Sequence, residues 1–244
     1  MRLLSYNIRY GGAGREEPIA RIIKACHPDI VLFQEATRPD VVERIADRAG
    51  MVEWRSYSKQ SLAFLSRENV AFAQWHRPRF SHHAFVEVVP AGERVRIFGV
   101  HLSAVHSSPT EWRRVFELRA LLRSIAHHQH GFHVLAGDFN TLEPKTRLDV
   151  RRLPPRLRPF VWLSGGRIKW RTIQTVLDAG YVDAYRLHHA LAPGHTFPSW
   201  DPHLRLDYIF VPETCRDRVL ACDVVTHPAA AEASDHLPIS ADFE

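Results

Sequence analysis

Phe132-His133-Val134-Leu135-Ala136-Gly137-Asp138-Phe139-Asn140 is the stretch that decides how this chain is read. An apolar run from Phe132 to Ala136, broken only by His133, stops at a glycine and then presents an aspartate and an asparagine two positions apart. Side chains alternate along a strand, so Asp138 and Asn140 fall on one side at its carboxyl end, where open α/β sheets place their ligands. Chemistry is expected there.

Outward from this stretch the pattern repeats. Ser5-Tyr6-Asn7 closes the first apolar strand, Gln34-Glu35 closes the second (Ile30-Val31-Leu32-Phe33), and His101 ends the run from Val95 to Val100. Arg205-Leu206-Asp207-Tyr208-Ile209-Phe210 and Ser234-Asp235-His236 follow near the carboxyl terminus. Strand ends and entries therefore deliver Asn7, Glu35, His101, Asp138 with Asn140, Asp207, and Asp235 with His236. One such coincidence means little, but an ordered series points to a site. Because the series spans residues 7 to 236, both chain ends must meet at it, and one domain over 1–244 is expected.

The intervening periodicities are helical at Glu16 to Cys26 and Arg38 to Ala49, where apolar residues recur at spacings of three and four. From Trp54 to Leu102 they become strand-like: Leu62 to Ser66, Val70 to Trp75, Phe85 to Val89 and Val95 to Leu102. Thr110 to His128 carries the strongest helical pattern, with Val115, Leu118, Leu121, Leu122 and Ile125 on one face. A last short helix is expected at Ile173 to Ala179, ended by Gly180, with three strands after it. Strands interleaved with helices, with both ends feeding one site, suggest two sheets packed face to face with helices outside. Residues 141–171 read as a structureless insertion.

The 244 residues carry 32 Lys plus Arg against 27 Asp plus Glu, a net charge of +5. The excess is local. Residues 145–171 hold nine cations against one acid, Asp149, and the remaining 217 residues carry 23 basic and 26 acidic side chains. Three cysteines without C-x-x-C spacing indicate neither a disulfide framework nor a cysteine zinc site. No apolar run reaches membrane-span length, and strand residues begin at Arg2, so a soluble cytoplasmic monomer without an evident protein partner is expected.

Glu35 beside the neutral oxygen of Asn7, with Asp138 and Asp235 also available, is hard-oxygen ligation suited to Mg²⁺ or Mn²⁺. Mg²⁺ prefers one or two carboxylates plus a substrate phosphate, so phosphate chemistry follows. His236 and Asp207 can form a carboxylate–imidazole pair that fixes the ring's tautomer and supports its positive charge. His101 is a candidate donor to a phosphate oxygen. No serine sits in G-x-S-x-G and no cysteine has a nucleophile's setting, which excludes the usual covalent hydrolases.

Ser-Tyr-Asn-Ile, Gln-Glu, His-Leu, Gly-Asp-Phe-Asn, Arg-Leu-Asp-Tyr-Ile-Phe and Ser-Asp-His, in this order, resemble the endonuclease/exonuclease/phosphatase superfamily of deoxyribonuclease I-like fold. The resemblance implies a four-layer α/β sandwich, two packed mixed β-sheets flanked by helices. It makes Glu35 the main metal ligand, with Asn7 near the metal or phosphate and Asp235 supporting the metal. Asp138 would position or deprotonate the attacking water, Asn140 would orient it, and His101 would bind the phosphoryl group. His236, oriented by Asp207, would stabilise the pentacovalent state or act as base, so Asp138 and His236 share the base role.

Each residue also has an ordinary reading. Asn7 is a turn former, Glu35 fits a helix N-terminus, and His106, His127, His128 and His130 read as solvated. Gly11, Gly12 and Gly14 match neither a dinucleotide fingerprint nor a Walker loop and read as a flexible surface loop. The basic segment interleaves Arg147, Arg151, Arg152 and Lys169 with Trp162 and Trp170. Cations neutralise phosphates and aromatics stack on exposed bases, so a nucleic-acid substrate is the first hypothesis. Arg77, Arg79, His82, His83, Arg113 and Arg114 form smaller basic clusters that would extend the track. An anionic membrane surface suits the same composition and would point to a phospholipid or sphingomyelin phosphodiesterase or a phosphoinositide phosphatase. A catalytically idle binding module is the third reading.

Overall fold

Leu3, Ser5 and Asn7 face one side of β1 (Arg2–Asn7), while Leu4 and Tyr6 face the other and pack under helices. That alternation recurs throughout the fold. The computed structural model describes all residues except 79, 80, 82, 127–130, 154, 156, 157, 166 and 167.

The first half supplies α1 (Glu16–Cys26), β2 (Ile30–Gln34), α2 (Pro39–Ala49), β3 (Glu53–Arg55), β4 (Ala63–Ser66), β5 (Val70–His76), β6 (Phe85–Pro90) and β7 (Arg96–His101). The second supplies α3 (Ser108–Ile125), β8 (His133–Asp138), α4 (Arg158–Leu163), α5 (Thr172–Asp178), β9 (Tyr181–Asp183), α6 (Ala184–His188), β10 (Asp207–Pro212), β11 (Val219–Val224), α7 (Ala230–Ala233) and β12 (Ile239–Phe243). Helix α3 starts with a capping box in which Ser107 and Thr110 satisfy each other's backbone N–H.

Two six-stranded mixed sheets result, ordered β11-β12-β1-β2-β4-β3 and β5-β6-β7-β8-β10-β9. Each is antiparallel except for one central parallel pair, β1 with β2 and β7 with β8. The parallel pairs are joined through α1 and α3, as crossovers require. The sequence shows no internal repeat, yet the two sheets repeat one strand pattern. A core of Leu3, Leu32, Ile97, Val134, Ile209, Ile239 and neighbours fills the space between the sheets. Leu4, Ile22 and Val42 belong to the layer under α1 and α2, and Phe98, Leu118 and Ile173 to the layer under α3 and α5. The expected four-layer sandwich is therefore present.

Several local expectations need correction. The described part of 141–171 is not structureless: Leu142, Leu153, Val161 and Trp170 pack with Leu204 and Leu206 into a small core of their own. Gly11 and Gly12 are buried in a 3-10 turn; a Cβ on Gly11 would lie 2.8 Å from the Arg38 side chain. Strand β9 and helices α6 and α7 were not expected, being only three to five residues long. Strand β8 runs through Gly137 to Asp138 rather than stopping at the glycine. Among the described residues no helix is long and apolar enough to cross a membrane.

Candidate active site

Strand parity aims the site. Asn7 continues the inter-sheet face of Leu3, His101 that of Ile97, Asp138 that of Val134 and Ala136, and Asp207 that of Ile209 and Val211. Asn7 pairs with Gln34 across β1 and β2, His101 with Asp138 across β7 and β8, and Asp138 with Asp207 across β8 and β10. Four polar side chains thus collect where the apolar layer between the sheets ends.

Gly137 makes the inward aim of Asp138 possible. Its φ is +151°, and a Cβ there would lie 1.9 Å from the Val100 carbonyl oxygen. Only glycine allows β8 this close to β7.

Glu35 shares the outward parity of Val31 and Phe33, yet its φ of 58° turns it out of the strand pattern. Its Oε2 accepts the Tyr10 N–H at 2.6 Å and its carbonyl accepts the Gly11 N–H at 2.9 Å. It does not cap α2, which begins four residues later without a side-chain cap. A left-handed glutamate costs on the order of 1–3 kcal/mol, held here by the β1–α1 turn.

Asn7 bridges the carboxylates. Its Nδ2 donates to Asp138 Oδ2 at 3.0 Å and to Glu35 Oε1 at 3.4 Å, while its Oδ1 accepts the Arg9 N–H at 2.9 Å. Asp138 also accepts the Asn140 N–H at 2.8 Å and Nδ2 at 3.1 Å. Asn140, left-handed at φ 52°, is anchored to the Leu102 carbonyl at 3.0 Å.

His236 lies between α7 and β12, with its Nδ1 2.9 Å from Asp207 Oδ2 and its Nε2 3.9 Å from Asp138 Oδ2. Ser234 ties this loop to β1 by donating to the Asn7 carbonyl at 2.6 Å. Thr196 ties it to β10: its carbonyl accepts the Leu237 N–H at 2.7 Å, and its Oγ1 accepts the N–H of Leu206 and of Asp207. Phe197 stands 5.0 Å from the His236 ring.

The electrostatics separate the roles. Burial raises the Asp138 carboxyl and Asp207 adds to the rise, while His236 and the donors from Asn7 and Asn140 hold it to about 7. Burial alone would discharge His236, but the charge and hydrogen bond of Asp207, with Asp138 and Asp235 behind, push it up to about 10. Burial, reinforced by His83 and His236, drives His101 down to about 3, so that ring is neutral. Its Nδ1 is buried without a hydrogen-bond partner among the described residues, and its Nε2 is 4.0 Å from Asp138. Asp207 Oδ1 is likewise unpartnered among the described residues.

Asp235 is half-buried and meets Arg9 Nε at 3.3 Å. Asp138, Asp207 and His236 offer ligand atoms within 4.8 Å of one another and form a group that could hold a metal ion. Within it, however, His236 is bonded to Asp207 and held protonated, and an imidazolium does not ligate a cation. Glu35 has no ion pair among the described residues; Arg9 and His236 are the cations paired with Asp235 and with Asp207, while Arg15 and the Glu111-bonded Arg114 act on Glu35, Asp235 and Asp138 from further away. Hard oxygen donors gathered in this way, with Glu35 free of a cationic partner among the described residues, fit a divalent cation.

The basic segment is only partly as expected. Arg147, Arg151, Arg152, Trp162 and Lys169 are exposed, with Trp162 at 77%. Trp170 is not available for stacking on a base, because it is 8% exposed in the small core and donates to the Thr146 carbonyl. Arg152 is paired with Asp201. Arg114 is not a surface cation: it is fully buried, bonded to Glu111 and to the Ser103 and Val105 carbonyls. His106 is buried rather than solvated, against Trp170. The expectations for Arg79, His82, His127, His128 and His130 fall outside the described residues.

Arg9, Thr196, Phe197 and Ser234 were missed as parts of the site. Arg9 follows Asn7 by two and Ser234 precedes Asp235, so proximity was a usable signal for both. Thr196 and Phe197 had none, because a long-range contact brings them in.

The sequence pattern described as the Endonuclease/Exonuclease/phosphatase family matches residues 4–236. A search of curated protein sequences finds no match. Among solved structures, an AP endonuclease from Archaeoglobus fulgidus superposes with a TM-score of 0.76 at 20% identity, covering 100% of this chain and 99% of that one. A 3′ phosphatase from Neisseria bound to product DNA hairpin gives 0.73 at 19%, covering 100% and 99%. A 3′-5′ exonuclease from Neisseria meningitidis gives 0.72 at 20%, covering both chains fully. The fold is deoxyribonuclease I-like.

Proposed function

The chain belongs to the endonuclease/exonuclease/phosphatase family, and we propose that it is a divalent-metal-dependent phosphodiester hydrolase acting on nucleic acid, as a nuclease or DNA-repair phosphodiesterase. The carrying observation is the convergence of four carboxyl groups, Glu35, Asp138, Asp207 and Asp235, where the strand ends meet, with Glu35 in no ion pair among the described residues. A phosphodiester is itself an anion, and a cluster of carboxylates repels it unless a bound cation intervenes. Glu35 would be the principal ligand, with Asp235 and the Asn7 Oδ1 in support, and Mg²⁺ or Mn²⁺ held there would neutralise charge developing on the phosphoryl oxygens.

The protein's own groups supply the remainder. Asp138, with a pKa of about 7, is the group able to take a proton from an attacking water at neutral pH. His236, charged below about 10, is a donor to the pentacovalent phosphorus oxygens rather than a base. Asp207 fixes its Nδ1–H and leaves Nε2–H facing Asp138 and the substrate. Asn140 holds Asp138 through two donors, and neutral His101 offers a second ring to the phosphoryl group. The Neisseria 3′ phosphatase, solved with a DNA hairpin, supports nucleic acid as the substrate class.

A phospholipid or sphingomyelin phosphodiesterase, or a phosphoinositide phosphatase, is the second reading, favoured by Trp162 and Leu163 projecting at 77% and 74% exposure. The intact Asp207–His236 pair argues against an idle binding module. A turnover panel of plasmid, single-stranded DNA, RNA, abasic duplex, sphingomyelin and inositol phosphates, each with Mg²⁺, Mn²⁺ or EDTA, separates the readings. Metal-dependent cleavage confined to nucleic acid is expected; turnover of the lipids alone would transfer the conclusion to the second reading.

A further inference from the structure

Between the first turns of α3 and the residues Ser164, Lys169 and Arg171 lies a concavity of about 360 Å³, lined also by Ser108, Glu111 and Trp112. The Ser108 N–H donates to Ser164 Oγ at 3.0 Å, which pins its two walls together. Glu111 is buried and already committed. It accepts from the N–H of Arg171 and of Thr172, from the hydroxyls of Thr172 and Thr141, and from Arg114.

The walls are different. Neither Lys169 nor Arg171 has an ion-pair partner among the described residues, whereas Arg152 and Arg114 in the same region do. The Arg171 guanidinium lies 4.7 Å from the centre of the Trp112 ring, and that side chain is still 57% exposed. An open aromatic surface beside two uncompensated cations complements a ligand that is flat at one end and anionic at the other.

We infer that this groove seats an unpaired nucleotide of the substrate strand, its base against Trp112 and a phosphate at Lys169 and Arg171. The inference rests on the reading of the substrate as nucleic acid. Continuity with the active site supports it: Thr141, which bonds Glu111 at 2.8 Å, directly follows Asn140. The concave shape favours one flat ring over a bilayer, which calls for projecting aromatics. Arg171 is one of the nine cations of the basic segment, whereas Trp112, 59 positions earlier, joins it only through the fold.

The test is anisotropy of a fluorescein-labelled oligothymidylate with phosphorothioate linkages, titrated with the whole protein in Mg²⁺ at several salt concentrations. Trp112→Ala and Lys169→Ala are each expected to raise Kd about tenfold, and Trp112→Phe to restore most of the loss. Lys169→Ala should also reduce the salt slope by about 0.7. Tight wild-type binding with both alanine variants unaffected would overturn the groove and leave the nuclease reading intact. A wild-type protein that hydrolyses bis(4-nitrophenyl) phosphate but does not bind the oligonucleotide would overturn both. Loss of binding only to phosphatidylserine vesicles would also overturn it.

Discussion

His236 Nδ1 lies 2.9 Å from Asp207 Oδ2, and both groups are buried. The carboxylate keeps the imidazolium charged where burial would otherwise discharge it. Asp207→Asn removes that charge, so the His236 pKa falls. A group active in its protonated form loses activity as pH rises through its pKa, so the alkaline limb of the rate profile should move from near pH 10 toward neutrality. With the pKa at about 7, roughly a tenth of the ring stays charged at pH 8, so the loss there should be about tenfold in kcat. An unchanged alkaline limb would show that His236 does not act as the acid.

The strained backbone at Glu35 separates stability from activity. Glu35→Gly relieves φ 58° but loses the Tyr10 N–H bond, two effects of similar size and opposite sign. Stability measured by urea unfolding should change by less than about 1 kcal/mol, while activity and Mg²⁺ binding by calorimetry disappear. Glu35→Gln should give the same functional loss. A glutamine variant that keeps near wild-type turnover would remove Glu35 from the site.

Gly137→Ala forces a Cβ to within 1.9 Å of the Val100 carbonyl at a left-handed φ. Relief requires β7 and β8 to separate at the point where His101 meets Asp138. Destabilisation of at least about 3 kcal/mol is expected in urea unfolding. A variant of ordinary stability would mean that the two strands do not approach so closely.

Burial, with Arg114 nearby, lowers the pKa of His106 to about 4, against its ordinary 6.5. Between these values the unfolded chain binds the proton and the folded chain does not. The contribution of neutral His106 is therefore fully present above pH 6.5 and is lost as pH falls toward 4, at up to about 1.4 kcal/mol per pH unit. His106→Asn should flatten the fall in stability between pH 6.5 and 5 by about 2 kcal/mol. Equal slopes for variant and wild type would show that the ring is accessible to protons in the folded state.

Much of this site was legible because it follows strand parity. A polar residue that continues the inward face of an apolar strand must emerge at the end of the core, which is how Asn7, His101, Asp138 and Asp207 declare themselves. Glu35 was legible by its chemistry but not by its direction, since a single left-handed residue overrides the alternation. The basic segment was read by composition, which does not say which aromatic folds inward. Trp170 completes a core with Leu204 and Leu206, residues more than thirty positions away, whereas Trp162 stays 77% exposed. Arg114 carried a readable sign in Glu111 at i−3, the spacing of a helical ion pair.

The proposed function requires a divalent cation seated on Glu35. An anomalous difference map from crystals soaked in Mn²⁺ tests it most directly. A peak is expected within about 2.0–2.3 Å of a Glu35 carboxylate oxygen, with His236 still bonded to Asp207. A peak bound by His236 and Asp207 instead, with Glu35 still turned to Tyr10 and no ion beside it, would contradict it.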